Sequence, residues 1–233
     1  MSNHNPISIF SPLTKVSDIV EMDYNIIKVL SRLGICLGNG DSTIESLCKK
    51  SGVNINSLHI LIAMYSHHFY TPSHTLIERA DIRDIIKYLR NSHIHYLQHN
   101  IVSLERELLK LIEPCNESMR KIICKFFNDY KSEVERHFEY EEQTVFTYID
   151  SLIYGANSKE YSINQFIENH NNIDEKLNDL RNILLKYLPS ECDTIECNKV
   201  IYKIFSLEEE LERHTNVENN ILIPMVAIIE GNE

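Results

Sequence analysis

The sequence has few residues that interrupt helices, with six glycines and six prolines among 233 residues. Because glycine and proline mark turns and loops, their scarcity favours long helices over a sheet with many turns. No stretch approaches the roughly 20 apolar residues that a membrane span needs, so we expect no membrane-spanning segment. The first residues, Met1–Pro6, lack the basic and apolar regions of a signal peptide, and we therefore expect a cytoplasmic protein.

The cysteines lack the C-x-x-C spacing of many zinc and redox motifs. They are Cys36, Cys48, Cys115, Cys124, Cys192 and Cys197. A helix-rich chain of this length does not need disulfides for stability, and we interpret the six mainly as reduced thiols.

Positive charge is scarce in the larger, C-terminal part of the chain. Residues 1–76 carry five basic and five acidic side chains. Residues 77–233 carry 18 basic and 29 acidic side chains and therefore hold the whole net charge of −11. Such a surface repels nucleic acid and anionic membranes. It suits cations or a basic partner, although a solvated acidic surface is the simpler interpretation.

Four long amphipathic segments follow residue 76, separated by short connections. Their predicted ranges are 77–112, 117–152, 163–188 and 197–229. Four such helices with short connections predict an all-α fold, with an antiparallel up-down-up-down four-helix bundle over residues 77–233. Residues 1–76 are predicted to form a separate small helical N-terminal domain.

Within the N-terminal domain the pattern predicts helices over residues 13–34, 42–50 and 56–68, with a loop over 34–41. The last two helices resemble a helix-turn-helix. The would-be recognition helix, Ser57–His68, has no Lys or Arg, so phosphate neutralisation would be weak. We therefore favour a docking or dimerisation module, which would make a homodimer, over nucleic-acid binding.

Two segments of the predicted bundle share one pattern of histidine and glutamate. Each is Glu-x-x-x-His-x-x-x-Glu, over residues 133–141 and 210–218. Residues four apart lie on one face of a helix, so each histidine and the glutamate after it can reach the same point. The other two long helices each contribute one histidine. The six candidate metal ligands are His93, His137, Glu141, His170, His214 and Glu218.

The histidine spacing repeats without drift. His93 and His137 are 44 residues apart, as are His170 and His214, and the two pairs are offset by 77 residues. The pattern predicts a pseudo-twofold pair of helical hairpins. Since the facing histidines lie at similar distances from their connecting turns, a rise of about 1.5 Å per residue places them at nearly equal heights.

All four histidines share a face with apolar residues of their own helices, at about 100° per residue. Those residues are Ile86, Leu89, Leu97, Leu104 and Leu111 for His93; Ile123, Phe126, Tyr130 and Tyr148 for His137; Ile163, Phe166, Leu177 and Leu184 for His170; and Leu207, Leu211, Ile221 and Met225 for His214. Burying imidazoles and carboxylates in an apolar interior is costly unless they coordinate something.

Four imidazoles and two carboxylates exceed the ligand set of one tetrahedral zinc ion. The natural division is two metals with two histidines each, and with Glu141 and Glu218 able to bridge them. Nitrogen and oxygen ligands with open positions suit iron or manganese, while the spacing alone fits zinc as well.

Other residues near the pattern have less defined roles. Glu133 and Glu210 lie one turn before His137 and His214 and face inward, where they fit a hydrogen bond to a ligand histidine or a proton relay. His95 and His99 fall roughly opposite His93 and are interpreted as surface residues. The remaining histidines within the helical segments, His59, His67, His68 and His74, stay unassigned.

The pattern H…HxxxE…H…HxxxE resembles the hemerythrin-like cation-binding (HHE) domain. The stretches that carry the resemblance are His137-Phe138-Glu139-Tyr140-Glu141-Glu142 and His214-Thr215-Asn216-Val217-Glu218-Asn219-Asn220. Within that group the same stretches resemble more specifically the di-iron proteins called repair of iron centres. Oxygen-carrying hemerythrins have a second histidine four residues after the third-helix ligand, and here that position is Asp174, which argues against simple oxygen carriage.

The resemblance implies two non-haem iron ions, joined by Glu141 and Glu218 and an oxo-type bridge. It implies a role in nitrosative or oxidative stress, with O2, NO or peroxide as small-molecule partners and damaged iron–sulfur proteins as targets for repair. The family's N-terminal domain has adjacent cysteines followed by two glycines, whereas this chain has the single Cys36 in Cys36-Leu37-Gly38-Asn39-Gly40. A di-iron sensor that signals through the N-terminal domain is the alternative, and it would use the same ligands.

Overall fold

The structure is a computed structural model that describes residues 11–67, 70–155, 161–169, 174–189 and 192–231. These residues are mostly helical and contain no β-strand, so the chain is all-α, as the sequence predicts. The α-helices are α1 (Val16–Met22), α2 (Ile26–Arg32), α3 (Ile44–Ser51), α4 (Ile55–Ser66), α5 (His74–Arg79), α6 (Ile82–His95), α7 (Val102–Leu111), α8 (Glu117–Tyr140), α9 (Phe146–Ile153), α10 (Ile163–Asn169), α11 (Asp174–Tyr187), α12 (Thr194–Val217) and α13 (Ile223–Glu230).

Within the described residues, three π-helical segments interrupt the long helices. They are Tyr96–Ile101, Glu141–Val145 and Glu218–Leu222. The helices predicted as continuous over 77–112, 117–152 and 197–229 are therefore each divided. Among the described residues, no helix is long and apolar enough to cross a membrane.

The chain divides into two compact units. Unit 1 comprises residues 1–92 and 213–233, and unit 2 comprises residues 93–212. Both divisions fall inside helices, between Ser92 and His93 in α6 and between Glu212 and Arg213 in α12. The predicted domain boundary at residues 76 and 77 falls within α5 and stays a prediction.

In unit 1, α4 is the most deeply buried helix. Ser57, Leu58 and residues 60–65 are all buried. The helix begins at Asn54, whose side chain accepts hydrogen bonds from the backbone of the first turn, and α3 before it ends at Gly52, whose φ of +70° favours glycine.

A buried arginine connects three helices of unit 1 through hydrogen bonds. The Arg32 guanidinium at the end of α2 donates to the hydroxyls of Tyr65 in α4 and Tyr88 in α6. The Tyr88 hydroxyl in turn donates to Tyr65 at 2.6 Å, and Asn91 donates to the Arg32 carbonyl at 2.6 Å. These bonds hold the part of α6 that leads into His93.

The prediction of one helix over residues 13–34 is wrong. Two helices, α1 and α2, occupy this stretch, and the first helix ends at Asp23, whose backbone is extended. The Asp23 side chain accepts a hydrogen bond from the backbone N–H of Asn25 at 2.9 Å. Such local side-chain bonds offer the backbone an alternative to the helical ladder, and the hydrophobic spacing alone does not reveal them.

Unit 2 is built around one apolar core to which four helical segments contribute. Its buried members include Leu104, Leu108, Leu111, Ile123, Phe127, Tyr130, Val134, Leu177, Leu180, Leu184, Val200, Ile204, Leu207 and Leu211. The apolar faces predicted for the four long helices are confirmed: every predicted residue is buried except Leu97 and Phe126, which are partly buried and pack against this core. The faces that carry the candidate ligands are therefore the inward ones.

Candidate metal centre

Glu141 lies between two histidines in unit 2 and offers one oxygen to each. His93 Nε2 is 3.0 Å from Glu141 Oε2, and His137 Nε2 is 2.9 Å from Glu141 Oε1. The Glu141 side chain has no exposed surface, and those of His93 and His137 are 4% and 11% exposed. A buried carboxylate that faces two imidazoles in this way is suited to share a cation with them.

The other ring nitrogen of His93 has a different partner. His93 Nδ1 is 2.8 Å from Glu142 Oε1, and the Glu142 side chain is 36% exposed. A carboxylate at this nitrogen favours the tautomer with the proton on Nδ1, in which Nε2 faces Glu141 as a potential ligand atom. The sequence pattern did not single out Glu142, because its role depends on a histidine 49 residues away.

Aromatic rings fix the orientation of His93. Its imidazole stacks on Phe138 at 4.1 Å between ring centroids, with Phe146 lying nearly parallel at 5.6 Å. Tyr96 meets Phe138 edge-on, and its hydroxyl hydrogen-bonds to that of Tyr130. This packing excludes water from one side of the imidazole and strengthens electrostatic interactions there.

Unit 1 repeats the histidine–glutamate pair. His214 Nε2 lies 3.2 Å from Glu218 Oε1, and both side chains are buried. The pair spans the end of α12 and the start of the π-helical segment Glu218–Leu222. It has the same i, i+4 spacing as His137 and Glu141.

Four of the six predicted ligands form one group. His93, Glu141, His214 and Glu218 are all buried, and each offers a ligand atom within 4.8 Å of those of the others. Imidazole and carboxylate donors without thiolate suit iron, manganese or zinc, so these residues fit a metal cation. His137 contacts the group through Glu141, and His170 lies outside the described residues. The assignment of all six as ligands stays a prediction.

The π-helical segments coincide with this group, and the sequence analysis missed them. Glu141 and Glu218 each begin one, and the third begins three residues after His93. At about 100° per residue Phe146 would point roughly 180° away from His137, yet it is fully buried. One extra residue in the π segment restores the phase, so an out-of-phase buried apolar residue is the signal that could have revealed it.

Glu133 and Glu210, the two glutamates one turn before the ligand histidines, lie outside the group. Glu133 Oε2 is 2.5 Å from Lys176 Nζ on α11, and both side chains are partly exposed. Glu210 is buried on α12. The proton relay or hydrogen bond to a ligand histidine that the sequence suggests for them stays a prediction.

A tyrosine pair lies within the electrostatic reach of Glu141. The hydroxyls of Tyr140 and Tyr161 are 2.8 Å apart, and the Tyr148 ring packs edge-on against Tyr161. Burial raises the pKa of Tyr161, and the hydrogen bond to Tyr140 and the Glu141 carboxylate raise it further. Tyr161 therefore keeps its phenolic proton at ordinary pH.

The surface interpretation of two further histidines is confirmed. His95 and His99 are both exposed, with ring centroids 5.2 Å apart across one turn. They lie outside the buried group.

A comparison with protein families decides the identity of the bundle. The sequence profile described as Hemerythrin HHE cation binding domain matches residues 84–226. The chain belongs to the hemerythrin HHE family. The matched region includes all six predicted ligands, and the HHE domain binds metal cations, in agreement with the buried histidine–glutamate group. Among curated proteins, no relative of the chain was found.

Proposed function

We propose that this HHE protein holds two non-haem iron ions and reacts with O2, NO or peroxide in the cytoplasm during nitrosative or oxidative stress. Within the family it is proposed to act like the proteins called repair of iron centres. The observation that carries the proposal is the placement of Glu141 between His93 and His137, one oxygen to each, beside the His214–Glu218 pair. This arrangement supplies donors for more than one cation.

The proposed ligands are the four histidines and two glutamates of the sequence pattern. His93, His137, His170 and His214 would bind the two ions, and Glu141 and Glu218 would join them. When bound, an iron pair would supply electrons for the reduction of small molecules. The requirement on the protein is to present neutral imidazole nitrogens and ionised carboxylates.

The surroundings of His93 meet that requirement. A hydrogen bond from His93 Nδ1–H to Glu142 would fix the tautomer and leave Nε2 as the ligand atom. Phe138 and Phe146 hold the ring plane and keep water away from it. A carboxylate behind a ligand histidine also raises the basicity of that histidine and so strengthens metal binding.

Iron content and reactivity test the proposal. Protein purified from iron-replete cells should contain two iron ions per chain, and the ferrous form should change its visible spectrum on addition of NO or O2. His137→Ala and His214→Ala should abolish the change, whereas the exposed control His99→Ala should keep it. One tightly held zinc ion per chain in the native protein would contradict the assignment.

Repair of iron–sulfur clusters is the more specific part of the proposal. The ferrous protein should restore activity to an enzyme whose [4Fe–4S] cluster has been damaged by NO, and metal-free protein should not. If both forms restore activity equally, the iron pair takes no part in repair.

A sensor is the second candidate, and one feature of unit 1 favours it. Unit 1 contains both the N-terminal helices and the segment that carries His214 and Glu218. Arg213, next to His214, donates a hydrogen bond to the Tyr65 carbonyl of α4 and lies 4.8 Å above the Tyr65 ring. A movement of His214 on ligand binding would therefore be transmitted to α4 through the contacts of Arg213 with Tyr65.

Hydrogen exchange separates the two candidates. In a sensor, NO binding should alter exchange in α4 without turnover, and Arg213→Ala should keep iron but lose that response. Arg106→Ala, an exposed arginine on α7, serves as the control. Multiple turnovers with unchanged exchange in α4 would favour the enzyme.

A further inference from the structure

Two thiols from different connections of unit 2 face each other. Cys115 lies between α7 and α8, Cys192 lies between α11 and α12, and their Sγ atoms are 3.5 Å apart. No disulfide joins them. Cys124 and Cys197 pack against the same core, so four of the six cysteines belong to this unit.

The spacing of the two cysteines matches the sequence repeat that relates the two predicted helical hairpins. Cys115 and Cys192 are 77 residues apart, the same offset that separates His93 from His170 and His137 from His214. The two cysteines thus hold equivalent positions in the two hairpin connections. Because the two equivalent positions lie next to each other and both carry cysteine, the two thiols are close enough to form a disulfide.

The two thiols differ in access to solvent. Cys115 is 4% exposed and belongs to the apolar core, whereas Cys192 is partly exposed. The neighbouring Cys197 has a raised pKa, caused first by burial and then by Cys192, so it stays protonated. Cys192 is therefore the thiol that a small oxidant in solvent reaches first, and Cys115 is placed to react with the product.

We propose that Cys115 and Cys192 are a redox-active dithiol that peroxide converts to a disulfide. Cys192 sulfur attacks one peroxide oxygen, the O–O bond breaks, and the departing hydroxide takes the thiol proton to form water, which leaves a sulfenic acid. Cys115 sulfur then attacks Cys192 sulfur, the S–O bond breaks, and hydroxide leaves with the Cys115 proton as a second water. The two thiols lose two electrons and one peroxide gains them.

The required movement is small. Disulfide sulfurs are about 2.05 Å apart, so the two Sγ atoms must approach by about 1.5 Å. Side-chain rotation and a slight backbone shift at the two cysteines would supply this distance, because both lie outside the helices. The bond would tie the α7–α8 connection to the α11–α12 connection.

The dithiol is separate from the metal group. His93 and Leu111 are 18 residues apart along the helical run, which corresponds to about 27 Å. The thiols lie beyond Leu111, at the far end of that run. Oxidation of the pair therefore needs no part of the proposed iron chemistry, and the two proposals can fail independently.

Peroxide titration of the purified full-length protein tests the proposal. About one equivalent should form a Cys115–Cys192 disulfide, identified by peptide mapping without reduction, and Tm should rise by roughly 10 °C because the bond closes a long loop. Dithiothreitol should reverse both effects. Cys192→Ser and Cys115→Ser should each abolish them, whereas Cys124→Ser and Cys36→Ser should retain them.

Three results would overturn the proposal. They are a disulfide between other cysteines, over-oxidation of Cys192 to sulfinic acid without a cross-link, and thiols that stay reduced in excess peroxide. Because Cys115→Ser alters the core, the partly exposed Cys192→Ser is the deciding variant if Cys115→Ser does not fold. Sulfenic acid trapped on Cys192 in Cys115→Ser would further establish the order of the two steps.

Discussion

Glu142 accepts a hydrogen bond from Nδ1 of His93 across 2.8 Å, although the two residues come from different helical segments of unit 2. Glu142 directly follows Glu141, which faces the opposite nitrogen of the same ring. Two consecutive glutamates therefore contact the two ring nitrogens of one imidazole. One is placed to bind metal and the other to set the tautomer.

Replacing Glu142 should weaken metal binding without unfolding the bundle. In Glu142→Ala the His93 ring loses its acceptor, and the affinity for iron should fall about 10- to 100-fold. Competition with a chelator measures this change. Glu135→Ala, an exposed glutamate on α8, is the matched control and should leave the affinity unchanged. An unaltered affinity in Glu142→Ala would show that the bond to His93 is incidental.

Removing either of the two buried ligand glutamates should disturb both metal ions. Glu141→Ala and Glu218→Ala should each bind less than half the metal of the wild type, because a carboxylate that joins two ions serves both. Elemental analysis gives the stoichiometry directly. Retention of one full equivalent in either variant would mean that the corresponding carboxylate binds a single ion.

The apolar faces were predictable because the helical period repeats over many turns, and the i, i+4 pairs were predictable because they lie within single helices. The contact between Glu142 and His93 was not, since it depends on how two helices meet. The break at Asp23 and the π-helical segments depend on local backbone bonding that hydrophobic spacing does not encode. His170 lies outside the described residues, so its predicted role remains open.

Metal removal should lower the thermal stability. A cation that binds only the folded protein stabilises it, by about 2.7 kcal/mol when its free concentration is 100 times Kd. Without metal, the carboxyl groups of Glu141 and Glu218 remain buried close to one another with no cation to stabilise them. Calorimetry of metal-loaded and metal-free protein at one pH should show a lower Tm for the latter. Equal Tm values would mean that the buried group does not hold the cation.

Glu133 and Glu210, which do not belong to the buried histidine–glutamate group, should be dispensable for iron retention. Glu133→Ala and Glu210→Ala should keep the iron but slow its reaction or its release. For Glu133 the loss of the partly exposed ion pair with Lys176 should cost at most about 1 kcal/mol of stability. Stopped-flow absorbance and metal analysis report the two properties separately. Complete loss of iron in these variants would make the two glutamates ligands.

Two cysteines of unit 1 should differ strongly in reactivity. Burial raises the pKa of Cys48 to about 11, with a further contribution from the Asp84 carboxylate, whereas Cys36 is exposed. A raised pKa leaves little thiolate at pH 8, and the thiolate is the reactive form. Iodoacetamide should label Cys36 in the folded protein and Cys48 only after unfolding. Comparable labelling rates in the native state would contradict the buried position of Cys48.

The π-helical segments also bear on the ancestry of the bundle. Those at Glu141 and Glu218 begin 77 residues apart, the same interval that separates His93 from His170, His137 from His214 and Cys115 from Cys192. Two independent insertions at matched positions would require a coincidence. A single segment that had already gained its extra residue, and was then copied once, would yield this arrangement directly. The widened turn would then be older than the repeat, and both copies would have inherited it together with their glutamates.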